Sequence, residues 1–419
     1  MRPILIYGCM IWAPQVELGV VQKRIDRVQR LACLSITGAI TSTPTAALEV
    51  LLSLPPLDLF VKQEAELIVY RMYKSGCWIA QNRSFGHARI LSDLKRSFSE
   101  VEMPEDSMQA TFCFERNFET RVPNRSDWED RTPPIEADVV LYTDGSKTDE
   151  GTGAGVYSEE MDYNISIPLG KYTTVFQSEV VAISEGSQKL LSDGIKDKRV
   201  LIYTDSESSI KSLSSVKVSS IVVLSCFTML ENLSRDNNVT LAWVPGHSEI
   251  PGNEKADELA RNGSSTVFIG AEPAVPRYAG LIKYLVKEET KKSHQDRWEA
   301  LTSCRQSKEF LVSCNAKNTK FLLSLGRVKL RTLVGVLTGH TSLNYHLNKL
   351  GIVSDPTCRG CGLEPETARH FICTCPALKN LRTRHLGDFY VTPEEQLELD
   401  LANVLSFIIG SKWLIAPEG

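Results

Sequence analysis

The stretch Val139-Val-Leu-Tyr-Thr-Asp144-Gly-Ser146 decides the fold, because a run of β-favouring residues ends at an acid, a glycine and a serine. A buried strand of this kind presents one carboxylate at the margin of a sheet. Nearly the same pattern returns at Arg199-Val-Leu-Ile-Tyr-Thr-Asp205-Ser206. If the two strands are neighbours in register, Asp144 and Asp205 lie side by side and repel each other. Mg²⁺ relieves such repulsion and prefers oxygen ligands, so the two strands predict a metal centre.

The composition is that of an ordinary soluble globular protein. The chain has 419 residues, 42% apolar content and a net charge of −4, which predicts two or three domains. No apolar run reaches the ~20 residues that a membrane-spanning helix needs. Four of the 11 cysteines fall between Cys358 and Cys375 and the others are scattered, which indicates a reducing compartment. We therefore expect an intracellular, soluble protein with no membrane partner; the pattern does not distinguish nucleus from cytoplasm, and it leaves protein partners unknown.

Residues 136–265 predict a mixed sheet covered by helices, in the order βββ–α–β–α–α–β–α. After the Asp144 strand, the glycines of Gly151–Val156 indicate a tight hairpin into a second strand. A helical period up to Leu191 places Glu179 in the first turn of a helix. The last strand leads into a glycine-rich loop with His247, and the helix that follows carries Asp257.

These acids stand in motifs that resemble a ribonuclease H domain, in the form found in non-LTR retrotransposon polyproteins: Tyr-Thr-Asp144-Gly-Ser, Gln-Ser-Glu179, Tyr-Thr-Asp205-Ser and Pro-Gly-His247 with Asn253-Glu-Lys-Ala-Asp257. The resemblance implies an α/β fold with a mixed five-stranded sheet flanked by helices. It implies that two Mg²⁺ ions, with Mn²⁺ as a substitute, are held by Asp144, Glu179, Asp205 and Asp257. His247 would assist proton transfer or product release. The implied reaction is two-metal endonucleolytic cleavage of the RNA strand in RNA–DNA hybrids.

Two departures from that family leave alternatives open. Glu207 stands where many relatives have a glutamine that faces the hybrid, and an anion near phosphate weakens binding. The stretch Val216–Leu224 has one basic residue, so no basic helix is evident there to grip the hybrid. A catalytically weak relic that acts as a nucleic-acid-binding module is therefore the alternative. A transposase or integrase would share the acid-lined sheet, but the spacing of His247 and Asp257 argues against it.

The flanking segments are predicted to be mainly helical. The motifs Leu5-Ile-Tyr-Gly-Cys-Met-Ile-Trp12 and Thr37-Gly-Ala-Ile-Thr-Ser-Thr-Pro44 resemble the end of a reverse transcriptase region. Residues 1–75 are therefore interpreted as its helical remnant, and the missing paired-aspartate motif predicts no polymerase activity. Residues 76–135 indicate a linker or poorly ordered insertion. Residues 266–350, a basic helical connector, hold 14 Lys and Arg against 6 Asp and Glu, whereas residues 136–265 hold 11 against 20. Solvated helix faces and a track for phosphates explain this basic charge equally well.

Residues 351–385 predict a zinc-binding segment, followed by a helical tail over 386–419. Cys358 and Cys361 form a Cys-x₂-Cys turn, and His370 with a later cysteine completes a tetrahedral Cys₃His set. The segment resembles the one that follows ribonuclease H in these polyproteins, where the pattern ends His-x₄-Cys-Pro. That resemblance selects Cys375, and Cys373 remains a competitor. Three cysteines and a histidine leave no open position for catalysis, so the Zn²⁺ is predicted to be structural.

Overall fold

A computed structural model describes residues 2–77, 88–128 and 135–414 of the chain. It contains two compact units. The helical unit combines Met1–Ser97 with Lys283–Gly419, and the sheet unit is Phe98–Ile282. Among the helices that are described, none is both long enough and apolar enough to cross a membrane.

The described residues in the first half of the helical unit form six α-helices: α1 Arg2–Ile6, α2 Cys9–Trp12, α3 Gly19–Thr37, α4 Thr45–Leu51, α5 Leu57–Lys74 and α6 Ala88–Ser97. Helix α3 is amphipathic, because Ile25, Gln29 and Cys33 recur at one-turn spacing and are buried. It ends at Gly38, which adopts a left-handed conformation (φ 67°) that a residue with a side chain rarely accepts.

The sheet unit contains ten strands and four helices in its described residues: β1 Glu105–Asp106, β2 Thr111–Phe112, β3 Glu119–Arg121, β4 Val139–Lys147, β5 Thr152–Ser158, β6 Tyr163–Pro168, α7 Val175–Ser192, β7 Arg199–Thr204, α8 Glu207–Leu213, β8 Lys217–Val218, α9 Ile221–Leu233, β9 Asn238–Trp243, α10 Pro251–Ser265 and β10 Arg277–Tyr278. The main sheet has the order β3-β9-β7-β4-β5-β6. Strand β4 is antiparallel to β5 and parallel to β7. The predicted mixed sheet flanked by helices is confirmed.

The sheet has one strand more than the five that the sequence predicted. Strand β3 pairs in parallel with β9 and comes from residues 76–135, which were interpreted as a linker. Its residues Glu119, Thr120 and Arg121 show no apolar alternation, so the pattern gave no strand signal. Phe118 anchors the strand instead: it is buried and packs edge-on against Phe227, with ring centroids 5.4 Å apart. Residues 78–87 and 129–134 of the predicted linker lie outside the described residues.

The glycines of the first hairpin allow helix α10 to pack closely against strand β5. Helix α10 lies directly on β5, and a Cβ atom at Gly155 would collide with the backbone oxygen of Ala256 in that helix. Gly153 meets the backbone of Ala260 and Gly263 in the same way. Only glycine therefore lets α10 approach closely enough to bring Asp257 towards the end of β4.

Up to Leu414, where the described residues end, the second half of the helical unit contributes eight α-helices: α11 Leu281–Ala300, α12 Arg305–Lys308, α13 Ala316–Ser324, α14 Arg327–Thr338, α15 Asn344–Lys349, α16 Lys379–Leu386, α17 Pro393–Glu398 and α18 Leu401–Ser411. A short π-helical turn, His370–Thr374, precedes α16. The sequence divided this unit into a remnant, a connector, a zinc segment and a tail. In the structure these segments share one core, which includes Leu48, Leu333 and Phe407.

The predicted basic connector also divides between the two units. Residues 266–282 belong to the sheet unit, and Arg277 in this part is fully buried. Its guanidinium lies 3.1 Å from Glu105 and donates a 2.7 Å hydrogen bond to the backbone oxygen of Glu100. Arg277 is therefore a structural ion-pair partner and not part of a phosphate track.

Candidate metal centre

Strands β4 and β7 bring the first two acids together. Thr143 on β4 is in register with Thr204 on β7, so Asp144 and Asp205 are the next residues on two neighbouring parallel strands. Asp144 is 6% exposed. The backbone of Asp205 is fixed from the third strand, because Trp243 Nε1 donates a 3.1 Å hydrogen bond to the Asp205 carbonyl oxygen. The expectation of neighbouring strands in register is confirmed.

Helix α7 supplies the third acid. Its N-terminus is a capping box formed by Thr174 and Gln177. The sequence analysis placed Glu179 in the first turn of this helix. In the structure Glu179 is the fifth residue of α7, after the first turn, so it does not cap the helix. The helix can approach β4 because Gly145 has no side chain: a Cβ there would lie 2.6 Å from the backbone nitrogen of Glu179. Carboxylate oxygens of Asp144, Glu179 and Asp205 all lie within 4.8 Å of one another.

The electrostatics of this carboxylate cluster show why it suits a cation. Burial, with the charges of Asp205 and Asp257, raises the pKa of Asp144 to about 7. Burial and the Asp144 charge raise the pKa of Glu179 well above its usual value. Burial also raises the pKa of Asp205. Like charges in a low-dielectric site cost free energy, and a divalent cation would offset that cost. The residues present therefore fit a metal ion.

Asp257 lies outside the 4.8 Å group but close to it. It is on α10, forms an ion pair with Arg261 one turn later, and its side chain is 17% exposed. Its negative charge nevertheless contributes to the raised pKa of both Asp144 and Asp205. Three of the four acids predicted from the sequence are thus gathered, and the fourth faces them at longer range.

His247 occupies the loop between β9 and α10. Its φ of 51° places it in the left-handed region, which is uncommon for a residue with a side chain. Burial raises the pKa of Asp205, and His247 opposes part of that shift because its imidazole is near the carboxylate. The preceding Gly246 lies against Asp205, where a Cβ would be 2.7 Å from Oδ2. The loop that carries His247 therefore packs directly against the side chain of Asp205.

The second cluster has the geometry of a metal-binding set of cysteines and histidine. The ligand atoms of Cys358, Cys361, His370 and Cys375 lie within 4.8 Å of one another. The Sγ atoms of Cys358 and Cys375 are 3.7 Å apart, and Cys361 Sγ is 3.3 Å from His370 Nε2. Cys373, the competitor, is buried but is not in this set. Although burial acts against it, hydrogen bonds from the Leu363 N–H and from His370 lower the pKa of Cys361 to about 7, which favours a thiolate ligand.

The sequence did not reveal the residues that orient this second cluster. His370 Nδ1 is 2.9 Å from the carboxylate of Glu364 and 3.2 Å from Thr374 Oγ1. Such a contact leaves Nε2 available as the ligand atom. Glu364 lies three residues after the Cys-x₂-Cys turn, so its position in the sequence could have suggested that it contacts a ligand. A glutamate in a polar loop is nevertheless too common for that position alone to identify it.

Comparisons with known proteins found similarity over the segment that contains the carboxylate cluster. Residues 136–265 match the family model described as RNase H. A ribonuclease H of Schizosaccharomyces pombe is 34% identical over 145 residues, which cover 30% of this chain and 53% of that protein. Ribonuclease H1 of Homo sapiens is 29% identical over 158 residues, 32% of this chain and 54% of that protein. A retrovirus-related Pol polyprotein from the type-1 retrotransposable element R1 of Bradysia coprophila is 32% identical over 100 residues, 24% of this chain and 10% of the polyprotein. The chain thus spans about half the length of the first two relatives.

Proposed function

Because residues 136–265 are a ribonuclease H domain, we propose that this chain is an endonuclease that hydrolyses the RNA strand of RNA–DNA hybrids. The observation that carries the proposal is the gathering of Asp144, Glu179 and Asp205 within 4.8 Å: Asp144 lies within β4, Asp205 directly follows the neighbouring parallel strand β7, and Glu179 is on helix α7. The similarity to the R1 Pol polyprotein supports a retrotransposon-derived protein.

The four acids are the proposed ligands of the metal ions. Asp144, Glu179, Asp205 and Asp257 would hold two Mg²⁺ ions, for which Mn²⁺ could substitute. Bound there, the ions supply an activated water and neutralise charge on the phosphate and on the leaving 3′ oxygen. The protein contributes a rigid frame, since two ligands continue paired strands and the third is held by a capped helix.

His247 would act on protons and not on the metal ions. An imidazole gains and loses a proton near neutral pH, so it can hand a proton to a leaving oxygen or release one on product departure. Its place on a loop between β9 and α10, close to Asp205, supports that role.

A gel assay with an end-labelled RNA–DNA hybrid tests the proposal. The wild type should cut the RNA strand when Mg²⁺ is added, and Asp205→Asn should lower the rate by at least about a hundredfold, because the metal ions would lose a charged ligand. Asp236→Asn is the matched control, since Asp236 is an exposed acid of the same unit that pairs with Lys196. Cleavage that survives Asp205→Asn, or that needs no divalent ion, would refute the proposal.

One observation favours a second candidate, a catalytically weak relic that binds nucleic acid. Glu207, two residues after Asp205, has an exposed side chain at the start of α8. An anion at this place opposes a phosphate backbone. The relic would bind the hybrid in a mobility-shift assay and show no cutting when Mg²⁺ is added.

For the second cluster we propose a structural Zn²⁺ held by Cys358, Cys361, His370 and Cys375. Four protein ligands would fill a tetrahedral site and leave no position for a reacting water. Its role would be to fold residues 351–385, which contain few regular elements of their own.

A further inference from the structure

The helical unit contains a pocket that the proposed nuclease reaction does not use. It has a volume of about 530 Å³ and lies beside the end of α3, the first turns of α14 and helix α15. Its walls carry two arginines, two histidines and several aliphatic side chains: Arg327, Arg331, His340, His346, Leu350 and Ile352. No acidic side chain is among its lining residues in the part of the chain that the structure describes.

The two arginines stand one turn apart on α14 and are both exposed. Arg327 donates a 2.6 Å hydrogen bond from Nη1 to the backbone oxygen of Ser35, which fixes its position and leaves its positive charge unneutralised. Arg331 has no ion pair and no side-chain hydrogen bond within the described residues. Two guanidinium groups without a carboxylate partner create a positive field at the pocket wall, which favours an anion.

The two histidines are joined through one hydroxyl. Ser42 Oγ is 3.3 Å from His346 Nε2 and 3.1 Å from His340 Nδ1, and the ring centroids are 4.7 Å apart. A hydroxyl has one proton, so Ser42 donates to one ring and accepts from the other. In either arrangement of two neutral rings, one of the remaining ring nitrogens carries a hydrogen and can donate to an anion. His346 is 94% buried, since its relative exposure is 6%, so this polar group is built into the wall.

The rim of the pocket is apolar. Val328, Leu350 and Ile352 are 63%, 47% and 65% exposed. An inorganic phosphate would gain nothing from these side chains, whereas the face of a nucleobase would bury them. A positive wall beside an apolar rim is the combination that single-stranded nucleic acid requires, because its bases are free to leave the stack.

The loop at the pocket is held by the second metal-binding segment. Arg359 Nη2 donates a 2.8 Å hydrogen bond to the backbone oxygen of Ser342, and Asn344 Nδ2 donates one of 2.8 Å to the backbone oxygen of Thr357. Arg359 is in turn paired with the fully buried Glu366. The two histidines therefore flank a loop that is fixed on both sides.

We propose that this pocket binds a single-stranded segment of nucleic acid. One phosphate would lie against Arg327, Arg331 and the Ser42-linked histidines, and the adjoining base would cover Leu350 and Ile352. This site would hold a strand that is not part of a hybrid, so it goes beyond the proposed cleavage reaction and does not depend on it.

Fluorescence anisotropy with a labelled 20-nucleotide oligothymidylate and the full chain tests the proposal, with no divalent metal added. Arg331→Glu should weaken binding by about tenfold, the loss of one charge-assisted phosphate contact. Its salt dependence should become shallower. Arg24→Glu is the matched control: it makes the same charge change on an exposed residue of α3, about 21 Å along the helix axis from Gly38. It should change binding less than about twofold. Equal losses in both variants, or no loss in Arg331→Glu, would overturn the proposal.

A second part of the experiment distinguishes a site for nucleic acid from a site that binds any phosphate. Ile352→Ser removes apolar surface from an exposed position, so it should leave the fold intact. We expect it to weaken oligothymidylate several-fold and to leave an abasic 20-mer, with the same number of phosphates, unchanged. Equal effects on the two ligands, or displacement of the oligonucleotide by inorganic phosphate or an oligoglutamate at similar charge concentration, would show that the pocket accepts anions in general and would overturn the assignment.

Discussion

Thr204 Oγ1 donates a 3.3 Å hydrogen bond to Oε2 of Glu179, so the residue before one acid of the cluster orients another. The equivalent residue on the neighbouring strand is used differently. Thr143, which precedes Asp144, directs its hydroxyl to the backbone oxygen of Tyr203 at 2.9 Å. The two threonines are paired in register and fully buried, yet one of them contacts a carboxylate. They form a natural pair of variant and control.

Thr204→Val should reduce hybrid cleavage by about five- to tenfold, since each lost hydrogen bond costs about 1 kcal/mol and the change removes both the bond to Glu179 and the 3.1 Å bond that Thr204 Oγ1 accepts from the Ser206 N–H. Valine has nearly the same shape and favours strands, so the fold should be retained. The lost bond favours ionised Glu179, so its removal raises the pKa of Glu179 further. The acidic limb of the pH–rate profile should therefore move to higher pH. Thr143→Val should leave that limb in place, and a shift of equal size in both variants would contradict the assignment.

Asp144→Asn should abolish cleavage and stabilise the metal-free protein. The folded pKa of Asp144 is raised to about 7 from 3.8, so folding favours the protonated form and stability falls as pH rises towards that value. At pH 8 the ionised side chain costs free energy that asparagine does not. We expect a gain in unfolding free energy of about 2–3 kcal/mol at pH 8 and little gain at pH 4. Urea titrations in EDTA measure it, and a loss of stability at pH 8 would contradict the like-charge account.

Glu49 should make the stability of the helical unit depend on pH in a similar way. Burial raises its pKa to about 7, and the charge of Asp26 adds to the shift, although Gln29 opposes it. Because the unfolded value is near 4.5, stability from Glu49 is fully present below that pH and is lost by about pH 7. Glu49→Gln should therefore stabilise the protein at pH 8 by about 2 kcal/mol and have little effect at pH 4. Thermal unfolding at the two pH values measures the effect, with the same change at the exposed Glu398 as the matched control.

Cys375→Ser should remove the bound zinc, and Cys373→Ala should retain it. Cys375 Sγ is one of the four gathered ligand atoms, whereas Cys373 is outside them, and burial raises its thiol pKa to about 12. Zinc content per chain after gel filtration measures the difference. Both variants lose a buried sulfur, so a general packing defect would affect them alike. Zinc retained in Cys375→Ser and lost in Cys373→Ala would reverse the assignment.

Glu207→Gln should lower the KM for the hybrid by about two- to threefold, with kcat unchanged. The gain is modest because Lys211 lies 2.6 Å from Glu207 and already offsets part of its charge near the phosphate backbone. The advantage should shrink as salt is raised, since the contact is with solvent-exposed charges. Steady-state kinetics at two ionic strengths would show it, and an increase in kcat instead would place Glu207 in the chemistry.

The elements of the sheet unit that hold the cluster were predictable because each carries a strong local pattern. Strands β4, β7 and β9 are apolar runs with β-branched residues, and α7 has a clear helical period with a capping box. Strand β3 was not predictable, since its three polar residues are fixed by tertiary pairing with β9 and by the neighbouring Phe118. Gly145, whose missing side chain admits α7, looks in the sequence like an ordinary turn residue.

Local sequence patterns could not predict how the helices of the helical unit pack together. Leu48 and Phe407 belong to one core although they lie on opposite sides of the sheet unit in sequence. Periodicity identifies which face of each helix is apolar, but it does not say which distant face will cover it. The His340 and His346 pair with Ser42 was missed for the same reason, because 298 residues separate Ser42 from His340.

That shared core has a consequence for how the polypeptide is made. On the ribosome, α3 and α4 emerge long before α14 and α18, against which their apolar residues are packed. Phe98–Ile282 has its own interior and can fold as soon as it leaves the exit tunnel, while Cys33 and Leu48 stay uncovered until translation passes α18. A stop codon just after Ile282 would leave Cys33 and Leu48 without their packing partners, whereas Cys9, Ile25 and Val61 would keep the separate core that the first helices form among themselves.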